Sequence, residues 1–358
     1  KLFGENHPDV ATSYNNIGAV YNHQWKLDEA LEHYNKALEI RLGLFGENHP
    51  YVALSYNNIG SVYSDQGKLN EALNYYNKAL QIKRGLFGEN HPSVAMSYNN
   101  IGYVFASQDN LDKALEYYDK ALEIWLRLFE ENNPHVATCY NNIGYVYKDQ
   151  GKLEEALEYY NKALQITLKL FGENHPDVAM TYNNIKNVYN KLSDNKKNLK
   201  YENELLNTQL RIFGEKHIDV VISYLTIGKI HNDNSNFEEA LGFYKKAIKI
   251  ELELFGENDP NVATAYNSIG IVYYNQGELE KALKYLNKAL EIRIGLFGEN
   301  HPDVATCYSN IGVVYDNQGN YIEAIKFYNR ALKIYSEQYE DDYPDVIYIK
   351  ERIEELTK

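Results

Sequence analysis

The chain has 358 residues, with 36 basic and 50 acidic side chains, a formal charge of −14 at neutral pH and two cysteines, Cys139 and Cys307. An acidic excess of this size argues against non-specific nucleic-acid binding, which needs a basic stripe to displace counterions. Two lone thiols rule out a disulfide framework, and no apolar run approaches the roughly 20 residues of a membrane span.

One period runs through the sequence. Val10 recurs as Val52, Val94, Val136, Val178, Val220, Val262, Val304 and Val346, always 42 residues apart. A fixed period of this length is the mark of a stacked helical array, in which each unit mainly contacts its neighbours. The units are expected at 7–48, 49–90, 91–132, 133–174, 175–216, 217–258, 259–300 and 301–342, within a single domain spanning 1–358. The expected fold is all-α: eight helix-turn-helix units followed by a capping helix at 345–358. Leu2-Phe3-Gly4 matches Leu44-Phe45-Gly46 at the end of a unit, and the expectation is that the array continues from an earlier repeat.

In the first unit, Pro8 opens helix A, because its missing N–H would be unpaired there, and Asp9 suits the positive helix start. Tyr14, Ile17, Gly18 and Tyr21 form one helical stripe. Position 25 is glycine in four of the units, as Gly67, Gly151, Gly277 and Gly319, which suits a left-handed residue after helix A; Trp25 should carry strain there. Helix B follows, with Leu27, Ala30, Leu31, Tyr34, Ala37, Leu38 and Leu44 on its stripe, and it ends at Phe45-Gly46. Small residues at Gly18 and Ala30 let the two helices approach while tyrosines fill the gaps. Cys139 and Cys307 share a column with Ser13, Ser55, Ser97 and Ala265, so small packing residues are expected rather than reactive thiols.

Trp125 stands in a column that holds Arg41, Lys83 and Arg293 elsewhere. That makes it a candidate exposed contact; packing against a neighbouring repeat is the competing reading. Unit five departs from the pattern: Lys186 replaces the glycine, Asn198 and Leu205 replace the alanines, and Glu202 replaces the tyrosine. Its two helices are expected to splay, altering curvature between 186 and 225. The same stretch carries Lys186, Lys191, Lys196, Lys197 and Lys200, which is either an anchor for an acidic partner or a solvated charged face. Asn232, Asn234 and Asn236 hint at a calcium loop. Phe237 and Phe243 then stand where that loop needs Gly and Glu, so the hint fails. In the tail, Lys350 and Glu354 replace the Tyr and Gly of helix A, as a solvating cap requires.

The stripe Tyr14, Ile17, Gly18, Tyr21, Ala30, Tyr34 and Ala37 resembles the tetratricopeptide repeat pattern, with Leu42 in place of its final proline. The long period, the H-P-x-V-A opening at 7–11 and the ending from Ala37 to Pro50 look like the kinesin light chain type. The resemblance implies a right-handed α-solenoid (a superhelix) with helix A of every unit lining a concave groove that holds extended peptides. Two departures weigh against motor attachment: no heptad coiled coil is present, and the groove columns are mostly neutral. Similar arrays also serve as sensor or scaffold regions of larger signalling proteins.

At about 100° per residue, positions 12, 15, 19 and 22 lie together on the face of helix A away from its core stripe. Position 15 is Asn15, Asn57, Asn99, Asn141, Asn183 and Asn267, beside a second asparagine column at position 16. Asparagine offers donors and an acceptor, so these ladders either grip a peptide main chain or tie neighbouring helices together. Specificity is expected from the variable columns. Tyr103 and Tyr145 form an aromatic strip; Lys148, Asn187 and Lys229 add polar contacts; Ile271 and Tyr274, with Val313, form an apolar patch.

There is no Gly-rich phosphate loop, H-E-x-x-H, C-x-x-C or G-x-S-x-G. The expectation is a non-enzymatic scaffold with no cofactor and no metal, binding protein or peptide and neither nucleic acid nor the membrane interior. The second expectation is the sensor or targeting region of a larger multidomain enzyme. No N-x-[ST] sequon occurs, and the expected location is cytoplasmic.

Overall fold

The computed structural model describes residues 6–129, 131–340 and 342–358; the Leu2-Phe3-Gly4 match lies outside them. Seventeen α-helices are described, in two alternating kinds. The A helices are α1 (Pro8–His23), α3 (Pro50–Asp65), α5 (Pro92–Ser107), α7 (Pro134–Asp149), α9 (Pro176–Lys191), α11 (Ile218–Asp233), α13 (Pro260–Asn275) and α15 (Pro302–Asn317). The B helices are α2 (Leu27–Phe45), α4 (Leu69–Phe87), α6 (Leu111–Phe129), α8 (Leu153–Phe171), α10 (Asn195–Phe213), α12 (Phe237–Phe255), α14 (Leu279–Phe297) and α16 (Tyr321–Ser336). A last helix, α17, covers Pro344–Leu356.

The joint between repeats shows why the period is rigid. Proline occupies the first turn of every A helix except α11, and the residue before it caps the helix. At six joints that cap is histidine, whose ring Nδ1 accepts the N–H two residues on, as in Tyr51 N to His49 Nδ1 at 3.2 Å. Asn133 and Asp259 do the same with a side-chain oxygen at 2.8 Å. The histidine ring also stacks on the phenylalanine that ends the preceding B helix, at 4.1–4.4 Å for Phe45–His49, Phe87–His91, Phe171–His175, Phe213–His217 and Phe297–His301. One residue type therefore satisfies an orphan helix donor and seals the joint.

Within a repeat, helix A meets helix B at the glycine. A Cβ at Gly18 would lie 2.9 Å from the Tyr34 ring, and one at Gly144 would lie 2.9 Å from Tyr160. The tight turn between the helices carries the left-handed residue expected from the glycine column. Trp25 takes φ 58° there, and Asp109, Ser193 and Ser235 take φ 55–61°.

The chain divides into two compact units, 1–192 and 193–358, and the division falls within the repeat whose sequence departs most from the others. In the first unit, α1 pairs with α2, α3 with α4, α5 with α6 and α7 with α8, and each B helix packs on the A helix that follows it. Ile59, Ile101, Ile143 and Ile185 are fully buried along this stack. The second unit repeats the arrangement with α11–α12, α13–α14 and α15–α16, closed by α17 on α16. Val346 and Ile349 of α17 are fully buried.

A second buried column holds polar groups. Arg41, 4% exposed, donates to Ser55 Oγ at 2.7 Å and to the Tyr51 carbonyl at 3.3 Å. Lys83 donates to Ser97 Oγ at 2.8 Å, Gln209 Oε1 accepts from Ser223 at 2.9 Å, and Arg293 reaches the Asp303 carbonyl at 3.0 Å. Trp125 occupies this same slot. It is 3% exposed and stacks on His135 at 4.2 Å, so exposure is ruled out and packing on the next repeat is what the structure shows. The column points into the seam between repeats, where even a lysine or arginine is covered. Cys139 and Cys307 are buried free thiols in that seam, and burial pushes the Cys139 thiol up to about 12.

Candidate functional site

Consecutive A helices touch directly: α5 with α7 and α7 with α9 in the first unit, and α11 with α13 and α13 with α15 in the second. Both asparagine columns take part. Asn58 Nδ2 donates to Asn15 Oδ1 at 2.9 Å, Asn100 to Asn57 at 3.0 Å, Asn142 to Asn99 at 2.8 Å, and Asn310 to Asn267 at 3.0 Å. The position-16 amide is thus an interhelical tie. At Asn57 and Asn99 the tie engages the carbonyl oxygen and leaves the amide hydrogens: both residues are half-buried, and their Nδ2 groups have no partner among the described residues. Asn15 Oδ1 also accepts from Arg41 at 3.4 Å. Asn141 is buried, donates to Thr181 Oγ1 at 3.3 Å and leaves its Oδ1 without a partner. Asn183 is half-buried and Asn187 exposed on α9.

The aromatic strip is open. Tyr103 is 57% exposed and Tyr145 47% exposed, at equivalent positions of the adjoining α5 and α7. The Lys148 ammonium lies 4.3 Å from the Tyr145 ring centre and 3.5 Å from Asp149. Asp149 accepts from the Tyr145 hydroxyl and holds its pKa above the ordinary value.

Position 12 of the same stripe was not singled out from the sequence. Leu54, Met96 and Met180 stand 41%, 51% and 50% exposed there in the first unit, and Ile222 is 50% exposed in the second. The available signal was that both methionines of the chain fall in this one column, 84 residues apart.

In the second unit the ladder is interrupted. Leu225 and Ser268 stand where a tie would join α11 to α13, and the Ser268 hydroxyl turns back to its own helix, onto the Thr264 carbonyl at 3.0 Å. An open cavity of about 420 Å³ lies there, lined by Leu225, Thr226, Lys229, Ser268 and Ile271 over Tyr244. Lys229 is exposed and Ile271 half-buried. Tyr274 is half-buried, and its hydroxyl accepts from Asn317 Nδ2 at 2.8 Å.

The five lysines of the basic stretch divide between the units, Lys186 and Lys191 on α9 and Lys196, Lys197 and Lys200 on α10. Lys197 pairs with Asp194 at 3.4 Å, and Lys200 lies 5.5 Å from the Tyr201 ring centre. Among the described residues no cluster of His, Cys, Asp or Glu could hold a metal ion, and no helix is long and apolar enough to cross a membrane.

A family model for the tetratricopeptide repeat matches in overlapping segments, 9–85, 51–115, 93–169, 140–210, 177–253, 219–294 and 261–337. Solved structures share the fold at low identity. BtubC (BKLC) from P. vanneervenii is 21% identical with a TM-score of 0.52, over 64% of this chain and 92% of that one. A putative kinesin light chain with nearly identical TPR-like repeats, from Podospora anserina, is 17% identical with a TM-score of 0.50, over 58% and 98%. The apo form of RapI is 19% identical with a TM-score of 0.51, over 80% and 98%. No curated protein matches the chain significantly.

Proposed function

Because the chain belongs to the tetratricopeptide repeat family, we propose that it is a non-catalytic scaffold that holds an extended segment of a partner protein along the face of its A helices. The observation that carries this reading is the stripe of half-buried amides on α3, α5 and α9 beside exposed rings on α5 and α7. Asn57 and Asn99 keep amide hydrogens to spend, and Tyr103 and Tyr145 stand about half exposed beside them. Main chain presents an acceptor at every residue, so amides hold it without regard to sequence while the rings select side chains. Isolated exposed apolar residues are ordinary; several on one stripe mark an interaction surface. A kinesin-light-chain-like scaffold is the narrower form of the proposal, and one of the similar structures carries that name.

Quantitative affinity capture from a lysate, with the wild-type chain against the Tyr103→Ala, Tyr145→Ala double variant, tests the site. Both rings are exposed, so the variant should fold as the wild type does by circular dichroism and melting. Loss of the wild type's captured proteins is expected. Full retention of every one of them would place the binding surface elsewhere.

A further inference from the structure

The first unit constrains the conformation of the segment it would hold. Tyr103 and Tyr145 occupy the same place on α5 and α7, one repeat apart. Those helices are in direct contact and are tied by Asn142 Nδ2 to Asn99 Oδ1 at 2.8 Å. Helices in contact lie roughly 8–10 Å apart, axis to axis, which sets the spacing of the two anchors across the stack. A β-strand returns to the same face every second residue, about 6.7 Å, and falls out of step with such a ladder. A polyproline-II helix has three residues per turn and a rise of about 3.1 Å, so its faces repeat every ~9.3 Å. An α-helical segment could match the spacing over about two turns, but its main chain is spent internally and offers the amides nothing.

The hydrogen-bonding valence points the same way. The Oδ1 of Asn57 and of Asn99 already accepts from the next repeat while their Nδ2 groups do not donate, so these two amides face a ligand chiefly as donors. A ligand that supplies carbonyl acceptors and few N–H groups in need of a partner suits it, and proline is the residue that has lost its N–H. Positions 12, 15 and 19 of the stripe are uncharged from the second repeat to the fifth, and the charge at position 22, Lys148, is paired with Asp149 at 3.5 Å. These positions run through Leu54, Asn57 and Ser61, then Met96, Asn99 and Tyr103, then Thr138, Asn141 and Tyr145, and finally Met180, Asn183 and Asn187, in a chain of net charge −14. One ring face of Tyr145 is covered by Lys148, and the tyrosines with Met96 and Met180 give an apolar surface of the kind on which pyrrolidine rings pack.

We infer that the partner segment of the first unit is proline-rich and bound as a polyproline-II helix, with an apolar ring seated on Tyr103 and a second, three residues along, on Tyr145. The inference rests on the A-helix face being the binding surface, and it adds the chemical class and conformation of what is bound. Polyproline II is largely formed before binding, so little ordering entropy opposes association.

The test uses the full chain and three fluorescein-labelled, C-terminally amidated probes read by fluorescence anisotropy: nonaproline, alternating (Thr-Val)4 and alternating (Gly-Ser)4. Saturable binding of nonaproline is expected, at least tenfold tighter than either other probe. It should weaken at least tenfold in Tyr103→Ala, Tyr145→Ala, survive within threefold in Tyr103→Phe, Tyr145→Phe, and change less than threefold between 50 and 500 mM NaCl. If (Thr-Val)4 binds instead with the same tyrosine dependence, the polyproline-II inference is overturned while the face stands as the binding surface. Nonaproline binding that ignores both tyrosines, or no binding of nonaproline at all, also overturns it. The capture experiment then decides separately whether the face binds a partner.

Discussion

Two residues carry costs that the repeat pattern would have avoided. Trp25 sits at φ 58° and is 74% exposed, so it bears left-handed backbone strain with little packing in return. The strain is about 1–2 kcal/mol for a residue with a Cβ, and part of the relief on changing to glycine is offset by unfolded-chain entropy. Trp25→Gly should therefore stabilise the chain by about 0.5–1 kcal/mol in chemical denaturation. Asp109→Gly, at φ 59°, should do less, because Asp tolerates this region better. Glu251 is fully buried in the polar seam column, and neither carboxylate oxygen has a recorded partner. Its slot is the one from which Arg41 and Arg293 donate, but the residue facing it is Ala265. Burial first, and Asp259 second, raise its pKa to about 7. For an acid raised in the folded state, the protonated form is the one the fold accommodates. Stability is then greatest below about pH 4.5 as far as this group is concerned, and is lost as pH rises through 7. Glu251→Gln should remove that slope and stabilise the chain at pH 8 by on the order of 2–3 kcal/mol. Parallel pH–denaturation curves for the variant and the wild type would refute it.

At the scale of the element, the helices were legible because several local signals agree. Proline at the first turn, the apolar stripe, the glycine after helix A and the Phe-Gly end of helix B all mark the same boundaries, and the structure places helices there. What was not legible was orientation at the seams. Trp125 shares its column with Arg41 and Lys83, and a column of charged residues reads as solvent-facing; the slot is in fact covered by the next repeat, and Lys83 is pushed down to about 8 by burial. The asparagine ladders could be read as gripping or tying because a single repeat does not show that Asn16's column reaches back to Asn15's column across the stack. The capping role of the histidines was missed for a related reason: histidine is not among the residues preferred at a helix N-terminus, and its fitness here comes from stacking on the preceding phenylalanine. His91→Ala removes the contacts to Ser93 N at 3.1 Å and to the Phe87 ring at 4.4 Å. A loss of about 1–2 kcal/mol is expected. His91→Asp, which keeps a side-chain acceptor as Asp259 does, should recover roughly half of it.

At the scale of the whole molecule, an array of neighbour-only contacts has no distant part to compensate for a lost neighbour, and α17 lets this be tested. Helix α17 closes the second unit with two kinds of contact. Val346 and Ile349 lie fully buried, in one cluster with Tyr335 and Ile334 of α16. Arg352 forks onto Asp316 of α15, Nε to Oδ2 at 2.5 Å and Nη2 to Oδ1 at 3.0 Å. The Asp316 side chain is only 7% exposed while that of Arg352 is 36% exposed, so the pair matters less for its own attraction than for what its loss would leave behind. Removing the arginine strands a covered carboxylate, at a cost of about 1–3 kcal/mol. Asp316→Asn together with Arg352→Ala should restore part of that, since a neutral amide needs no counter-charge. Deleting 344–358 removes both contacts and uncovers the apolar side of α16. Hydrogen exchange followed by mass spectrometry should then show protection falling in α15 and α16, with α1 to α8 unchanged, and the truncated chain should aggregate more readily on heating. Equal loss of protection along the entire chain would mean that stability is shared globally, and unaltered protection in α15 and α16 would deny α17 any capping role.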